Sequence, residues 1–129
     1  MRATREEPSP EDEQARATIL VAEDEVLVRM TLAEQLRDAG YAVIEAANGH
    51  EAVDVLRTAP VGFVVSDVRM PGSIDGVALA RLVRAEYPAT KIILTSAHLS
   101  EAGWAHHDGF FHKPYDATEI ITHIKSLMS

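Results

Sequence analysis

Between Val61 and Ser66 the chain reads Val-Gly-Phe-Val-Val-Ser, an apolar run without alternation that ends on a carboxylate, Asp67. A strand exposed on one face alternates apolar and polar residues, so an unbroken run predicts a strand covered on both faces. Such strands belong to parallel sheets sandwiched between helices, and a carboxylate at the strand's end then lies on the rim where open α/β sheets hold their chemistry. Three further polar clusters fall at equivalent places. Glu23 and Asp24 follow a first apolar run, Thr95 a fourth, and Lys113 with Pro114 a fifth.

The rest of the chain fits that frame. Strands are predicted over 18–22, 41–46, 61–66, 91–94 and 109–112. The segment 26–39 reads as a helix with Val26, Met30 and Ala33 along one face and Gly40 as its stop. After the Asn48-Gly49 turn, 51–57 reads as a short helix with Ala52, Val53 and Leu56 inward. A third helix runs from Asp75 or Gly76 to Glu86, ended by Tyr87-Pro88 because the residue before proline disfavours the α region. Ser100 begins a short or irregular fourth helix. Asp116 caps a last one, with Glu119 as capping-box partner and Ile120, Ile124 and Leu127 inward. Strands alternating with helices predict a doubly wound parallel sheet, and right-handed crossovers leave few topologies. The strand order expected is the flavodoxin-like 2-1-3-4-5, with five helices, which brings Glu23, Asp24 and Asp67 together.

Composition bounds the function. The 129 residues are 47% apolar, enough for one domain with a full core, over 16–129. The first 15 residues carry Glu6, Glu7, Glu11, Asp12, Glu13 and two prolines and read as a flexible acidic tail. A net charge of −8 opposes nucleic-acid binding, which needs Lys and Arg against phosphates. With no cysteine there are no disulfides or thiolate metal sites. No apolar stretch has the length of a signal peptide or a membrane span, so a cytoplasmic location is expected. His98, His106, His107 and His112 lack metal-ligand spacing and read, with Asp38, Asp54 and Asp108, as surface. Trp104 is either core or an interaction anchor.

Three carboxylates at one rim repel and raise each other's pKa, a conflict that a hard divalent cation removes. Mg²⁺ takes oxygen ligands, keeps waters and joins carboxylates to phosphate. With it, Asp67 can stay ionised and attack phosphorus, as aspartyl-phosphate enzymes do. Lys113 can offer positive charge, and Thr95 a hydroxyl, to phosphoryl oxygens.

These motifs, Val21-Ala22-Glu23-Asp24-Glu25, Ser66-Asp67-Val68-Arg69-Met70-Pro71, Thr95-Ser96-Ala97 and Lys113-Pro114-Tyr115, occur in order, each after a predicted strand. Together they resemble the receiver domain of two-component response regulators, over roughly residues 16–129. The resemblance implies a bacterial signalling protein in which Asp67 accepts a phosphoryl group from a histidine kinase or phosphotransfer protein. It further implies Mg²⁺ held directly by Asp24, Asp67 and the Arg69 backbone carbonyl and through water by Glu23. Thr95 and Lys113 would bind the phosphoryl group, and Phe110 would move with Thr95 as a switch. Two features depart from the usual pattern. The 71–76 loop is one residue longer, and the Thr95-to-Lys113 interval is short by a few residues in the helix-four region, part of the common output face.

The leading expectation is a stand-alone receiver, with no domain after Ser129. Its output would pass through protein–protein contact and its only catalysis would act on its own phosphorylation and dephosphorylation. A phosphorylation-independent binding module and a receiver fragment of a longer regulator are the alternatives. A phosphatase is disfavoured because Arg69 stands where the second Asp would act as acid, and flavin binding because the first loop is acidic.

Overall fold

The computed structural model of the chain describes residues 17–98, 103 and 105–128. The tail read over 1–15 and Trp104 lie outside the described residues. The elements in order are β1 (Thr18–Ala22), α1 (Val26–Asp38), β2 (Ala42–Ala46), α2 (Gly49–Thr58), β3 (Phe63–Asp67), α3 (Gly76–Glu86), β4 (Lys91–Ser96), β5 (Gly109–His112) and α4 (Ala117–Met128). All strand pairs are parallel, in the order β2-β1-β3-β4-β5. The doubly wound flavodoxin-like architecture read from the sequence is therefore present. The described residues hold four α-helices rather than five. The helix expected from Ser100 falls mostly on 99–102 and 104, outside the described residues.

The two faces of the sheet have separate cores, and the twofold pleat of the strands distributes them. Leu20, Ala22, Val64, Ile92 and Leu94 face α2 and α3, meeting Ala52, Leu56, Leu79 and Val83. Their neighbours Ile19, Val21, Phe63, Val65 and Ile93 face α1 and α4, meeting Leu32, Leu36, Ile120 and Ile124. Each fully buried Leu or Ile contributes about 2 kcal/mol of transfer free energy. The inward faces predicted for α2 and for Ile120 and Ile124 hold, while Leu127 is only half-buried.

Helix α1 differs from its predicted face. Ala33 is buried, but Val26 and Met30 are 53% and 52% exposed, and Leu27 is 77% exposed. Apolar residues surround this helix, so its period does not select a face. Packing against the sheet and α4 does, through Leu32, Ala33 and Leu36. At α4 the Asp116 carboxylate accepts from the backbone N–H (2.9 Å) and hydroxyl (2.6 Å) of Thr118. Glu119 offers its backbone N–H to the Asp116 carbonyl (2.9 Å), and the bonds to the Asp116 carboxylate come from Thr118.

Two polar residues read as surface are not free of the fold. Asp108 accepts from the Ile92 backbone N–H at 2.9 Å, at the start of β4. His107 is half-buried, its ring 5.9 Å from that of Phe110.

Candidate functional site

The chain leaves β1 for β2 on one side and returns to β3 on the other, which opens a crevice at the β1/β3 rim. The register sets what stands there. Ala22 pairs with Ser66, so Glu23 and Asp67 are the next residues on adjacent strands. Thr95 stands opposite Asp67 on β4, and His112, just before Lys113, pairs with Ser96. Backbone bonds continue the ladder past the strand ends: Glu23 N–H to Ala46 O (3.0 Å), Val68 N–H to Thr95 O (2.8 Å) and Lys113 N–H to Ser96 O (2.8 Å). The sheet thus carries Glu23, Asp67, Thr95 and Lys113 to one end as a consequence of backbone pairing.

Carboxylate oxygens of Glu23, Asp24 and Asp67 lie within 4.8 Å of one another. Glu23 is buried and Asp67 is 9% exposed, whereas Asp24 is open to solvent. The Lys113 ammonium donates to Glu23 Oε1 at 2.7 Å and Asp67 Oδ2 at 3.0 Å. The Glu25 backbone N–H donates to the other Glu23 oxygen at 3.0 Å. Burial is the main cause that raises the pKa of both Glu23 and Asp67; Lys113 opposes it, and the neighbouring carboxylate adds to it. Mutual repulsion, expected from sequence to raise these values, does so but is secondary to desolvation. For Lys113, burial alone lowers the pKa, but its bonds to Glu23 and Asp67 more than offset this and the net shift is upward.

The loop that follows Asp67 is braced against the helices. Asp67 receives a backbone hydrogen bond from Arg69. The Asp75 carboxylate caps α3 through the Ala78 N–H at 2.9 Å, and the Gly76 N–H reaches the Val68 carbonyl at 2.8 Å. The 71–76 segment turns through Gly72, whose φ of +91° is one that glycine tolerates. It is tied to α2 by a 2.9 Å hydrogen bond between His50 and Ser73.

The structure therefore brings together Glu23, Asp24, Asp67 and Lys113 as the sequence predicted, with Thr95 beside Asp67 and 2% exposed. Phe110 is half-buried against the α2/α3-side core rather than in the acidic cluster. Sequence reasoning missed three residues. Arg29 donates to the Glu23 backbone carbonyl at 2.8 Å, and Glu45 holds Arg29 at 3.3 Å. Tyr115 has its phenol pKa pushed up to about 12, first by burial and then by the Glu23 charge. Lys113-Pro114-Tyr115 was the available signal for the tyrosine; nothing in sequence links Arg29 to Glu45.

The donor set is all oxygen, and its three carboxylates against one lysine leave it net negative. That chemistry fits a hard divalent cation and gives no soft ligand for zinc or copper.

Comparison with known proteins agrees with this geometry. Residues 19–125 match the response regulator receiver domain. The chain is 36% identical to the sensor kinase CckA of Brucella abortus over 87% of its own length and 12% of the kinase. It is 34% identical to the transcriptional regulatory protein PdtaR of Mycobacterium tuberculosis, over 86% of this chain and 56% of that protein. The response regulator TrrA of Thermotoga maritima, solved with Mg²⁺–BeF, superposes with a TM-score of 0.78 at 32% identity, covering 85% of this chain and 97% of that one. The chain thus spans about half, or less, of the curated relatives it matches.

Proposed function

This chain belongs to the response regulator receiver family, and on that premise we propose that Asp67 is the phospho-acceptor of a phosphorylation-dependent signalling receiver. The observation that carries the reading is the placement of Lys113 between Glu23 and Asp67 at the strand rim. Asp67 is a carboxylate at the end of a buried strand, with a cation already at hydrogen-bond distance.

In the proposed step an Asp67 oxygen forms the new O–P bond as the P–N bond of a phosphohistidine breaks. The imidazole nitrogen leaves with that electron pair and takes a proton. Lys113 donates to the phosphoryl oxygens, and the Thr95 hydroxyl lies on the neighbouring strand to do the same. Glu23, Asp24, Asp67 and the Arg69 carbonyl would hold Mg²⁺, which when bound supplies positive charge against the phosphoryl oxygens. TrrA, solved with Mg²⁺–BeF, supports this assignment by similarity. The chain's catalysis, on this reading, is confined to its own phosphorylation and dephosphorylation.

Partners are proposed on the same footing. The exposed Val26, Leu27 and Met30 on the first turns of α1 lie next to the acidic loop and offer an apolar surface to a phosphodonor kinase or phosphotransfer protein. No helix among the described residues is long and apolar enough to cross a membrane; a cytoplasmic location belongs to the proposal. Output through protein contact completes the proposal.

Incubation with acetyl phosphate and Mg²⁺, followed by intact mass measurement, tests it. One phosphoryl adduct is expected on the wild type and none on Asp67→Asn or without Mg²⁺. An unchanged adduct on Asp67→Asn would overturn the assignment.

A further inference from the structure

Among the described residues, Asp24 is the one member of the acidic cluster that no side chain holds. Glu23 is fixed by Lys113 and the Glu25 N–H, and Asp67 by Lys113. Among the described residues, no hydrogen bond or ion pair secures the exposed Asp24 carboxylate, so its place beside Asp67 is set by the backbone that leaves β1. That backbone is pinned on both sides of Glu23, and on the Asp24 side, among the described residues, only by Arg29. The Glu23 N–H donates to Ala46 O at 3.0 Å, and the Glu23 carbonyl accepts from Arg29 Nη1 at 2.8 Å.

Arg29 is itself oriented. Its Nε donates to Glu45 Oε1 at 3.3 Å, and its side chain is only 15% exposed. Glu45 stands on β2 opposite Val21, one strand from the acidic loop. The second Glu45 oxygen accepts from Arg37 Nη1 at 3.1 Å, and Arg37 Nη2 bonds the Val43 carbonyl at 3.1 Å. Two arginines of one helix thus share one carboxylate, but only Arg29 also reaches the site. A planar guanidinium holds its donors in a fixed fork aimed at both acceptors, a geometry that a compact ammonium on a flexible stem does not reproduce at this position.

We infer that Arg29 is a positioning residue for the divalent-cation site: held by Glu45, it locks the Glu23–Asp24 peptide so that Asp24 faces Asp67. The inference rests on the metal reading above. Its electrostatic sign makes it testable. A cation near an acidic site weakens the binding of another cation, so removing the Arg29 charge by itself should tighten Mg²⁺ binding. Loss of positioning should weaken it, as loss of partners outside the ligand shell does elsewhere, by roughly tenfold.

The experiment is calorimetric titration of Mg²⁺ alone into the full chain and into Arg29→Met, Arg29→Lys and Arg37→Met. Expected are roughly tenfold weaker binding in Arg29→Met, weakened binding in Arg29→Lys although the charge is kept, and wild-type affinity in Arg37→Met. Tighter or unchanged binding in Arg29→Met would overturn the inference. So would equal losses in Arg29→Met and Arg37→Met, which would reduce Arg29 to a clamp between α1 and β2. Should Arg29→Met not fold, Arg29→Lys decides in its place, wild-type affinity there counting against positioning. A wild type that binds no Mg²⁺ would instead defeat the metal reading itself.

Discussion

Gly76, the first residue of α3, lies against the backbone of Asp67. A side chain at Gly76 would collide with the Asp67 carbonyl oxygen and stand 2.7 Å from the Val68 Cα. Both obstacles are backbone, so neither can rotate away. Gly76→Ala should therefore push the Asp67–Val68 segment outward, at a cost of about 1–3 kcal/mol. The measurement is a urea melt beside a phosphorylation assay. Both stability and phosphoryl uptake should fall, because the displaced segment carries the acceptor.

Lys113 is the only counter-charge that the described residues place on both Glu23 and Asp67. Lys113→Met should leave two largely buried carboxylates facing each other and destabilise the apo protein by on the order of 2 kcal/mol. A divalent cation should restore part of that loss by replacing the charge. Thermal melts with EDTA and with Mg²⁺ check this, and phosphoryl uptake should be severely reduced in either condition.

The raised pKa of Asp67 gives stability a definite pH dependence. Burial makes the folded state hold the Asp67 proton more tightly than the unfolded chain does. As pH rises from the ordinary carboxylate range through the raised folded value, the unfolded chain releases its proton first, and folding stability falls. Glu23 acts in the same sense. Asp67→Asn, which carries no charge to desolvate, should be more stable than wild type at neutral pH without divalent cation. That advantage should shrink as pH is lowered through the window. Denaturant melts of both proteins at acid and neutral pH supply the comparison.

Asp75 separates the support of α3 from the chemistry. Its carboxylate caps the helix through the Ala78 N–H at 2.9 Å and does not belong to the acidic cluster. Asp75→Ala should cost about 1 kcal/mol of stability while Asp67 is still phosphorylated. A thermal melt and the mass assay together would show the separation.

The sequence made the site legible because a parallel sheet sends every strand's C-terminal end to one rim. An apolar run followed by Asp67, or by Glu23 and Asp24, therefore located the chemistry without any side-chain detail. The alternation of elements and the handedness of crossovers left few topologies, and the flavodoxin-like order chosen among them is the one observed. What could not be read depends on packing between distant segments. The exposed face of α1 was missed because Val26, Leu27, Val28, Met30 and Leu32 offer apolar candidates on every side. Arg29 was missed because its partner, Glu45, is 16 residues away on a strand whose facing depends on the fold. Asp108 looked like a solvated charge because its bond to the Ile92 N–H spans the β4–β5 connection. The dominance of burial over repulsion in the carboxylate pKa values likewise needed the depth of Glu23 and Asp67, which residue spacing does not give.

The account turns on Asp67 as the acceptor, and mapping the phosphorylated residue tests it most directly. Wild-type protein phosphorylated with a small phosphodonor and Mg²⁺ is reduced with borohydride, which converts an aspartyl phosphate to homoserine, then digested and sequenced by tandem mass spectrometry. The account predicts homoserine at position 67 alone. Conversion at Asp24, or phosphoryl groups on any residue other than Asp67, would contradict it.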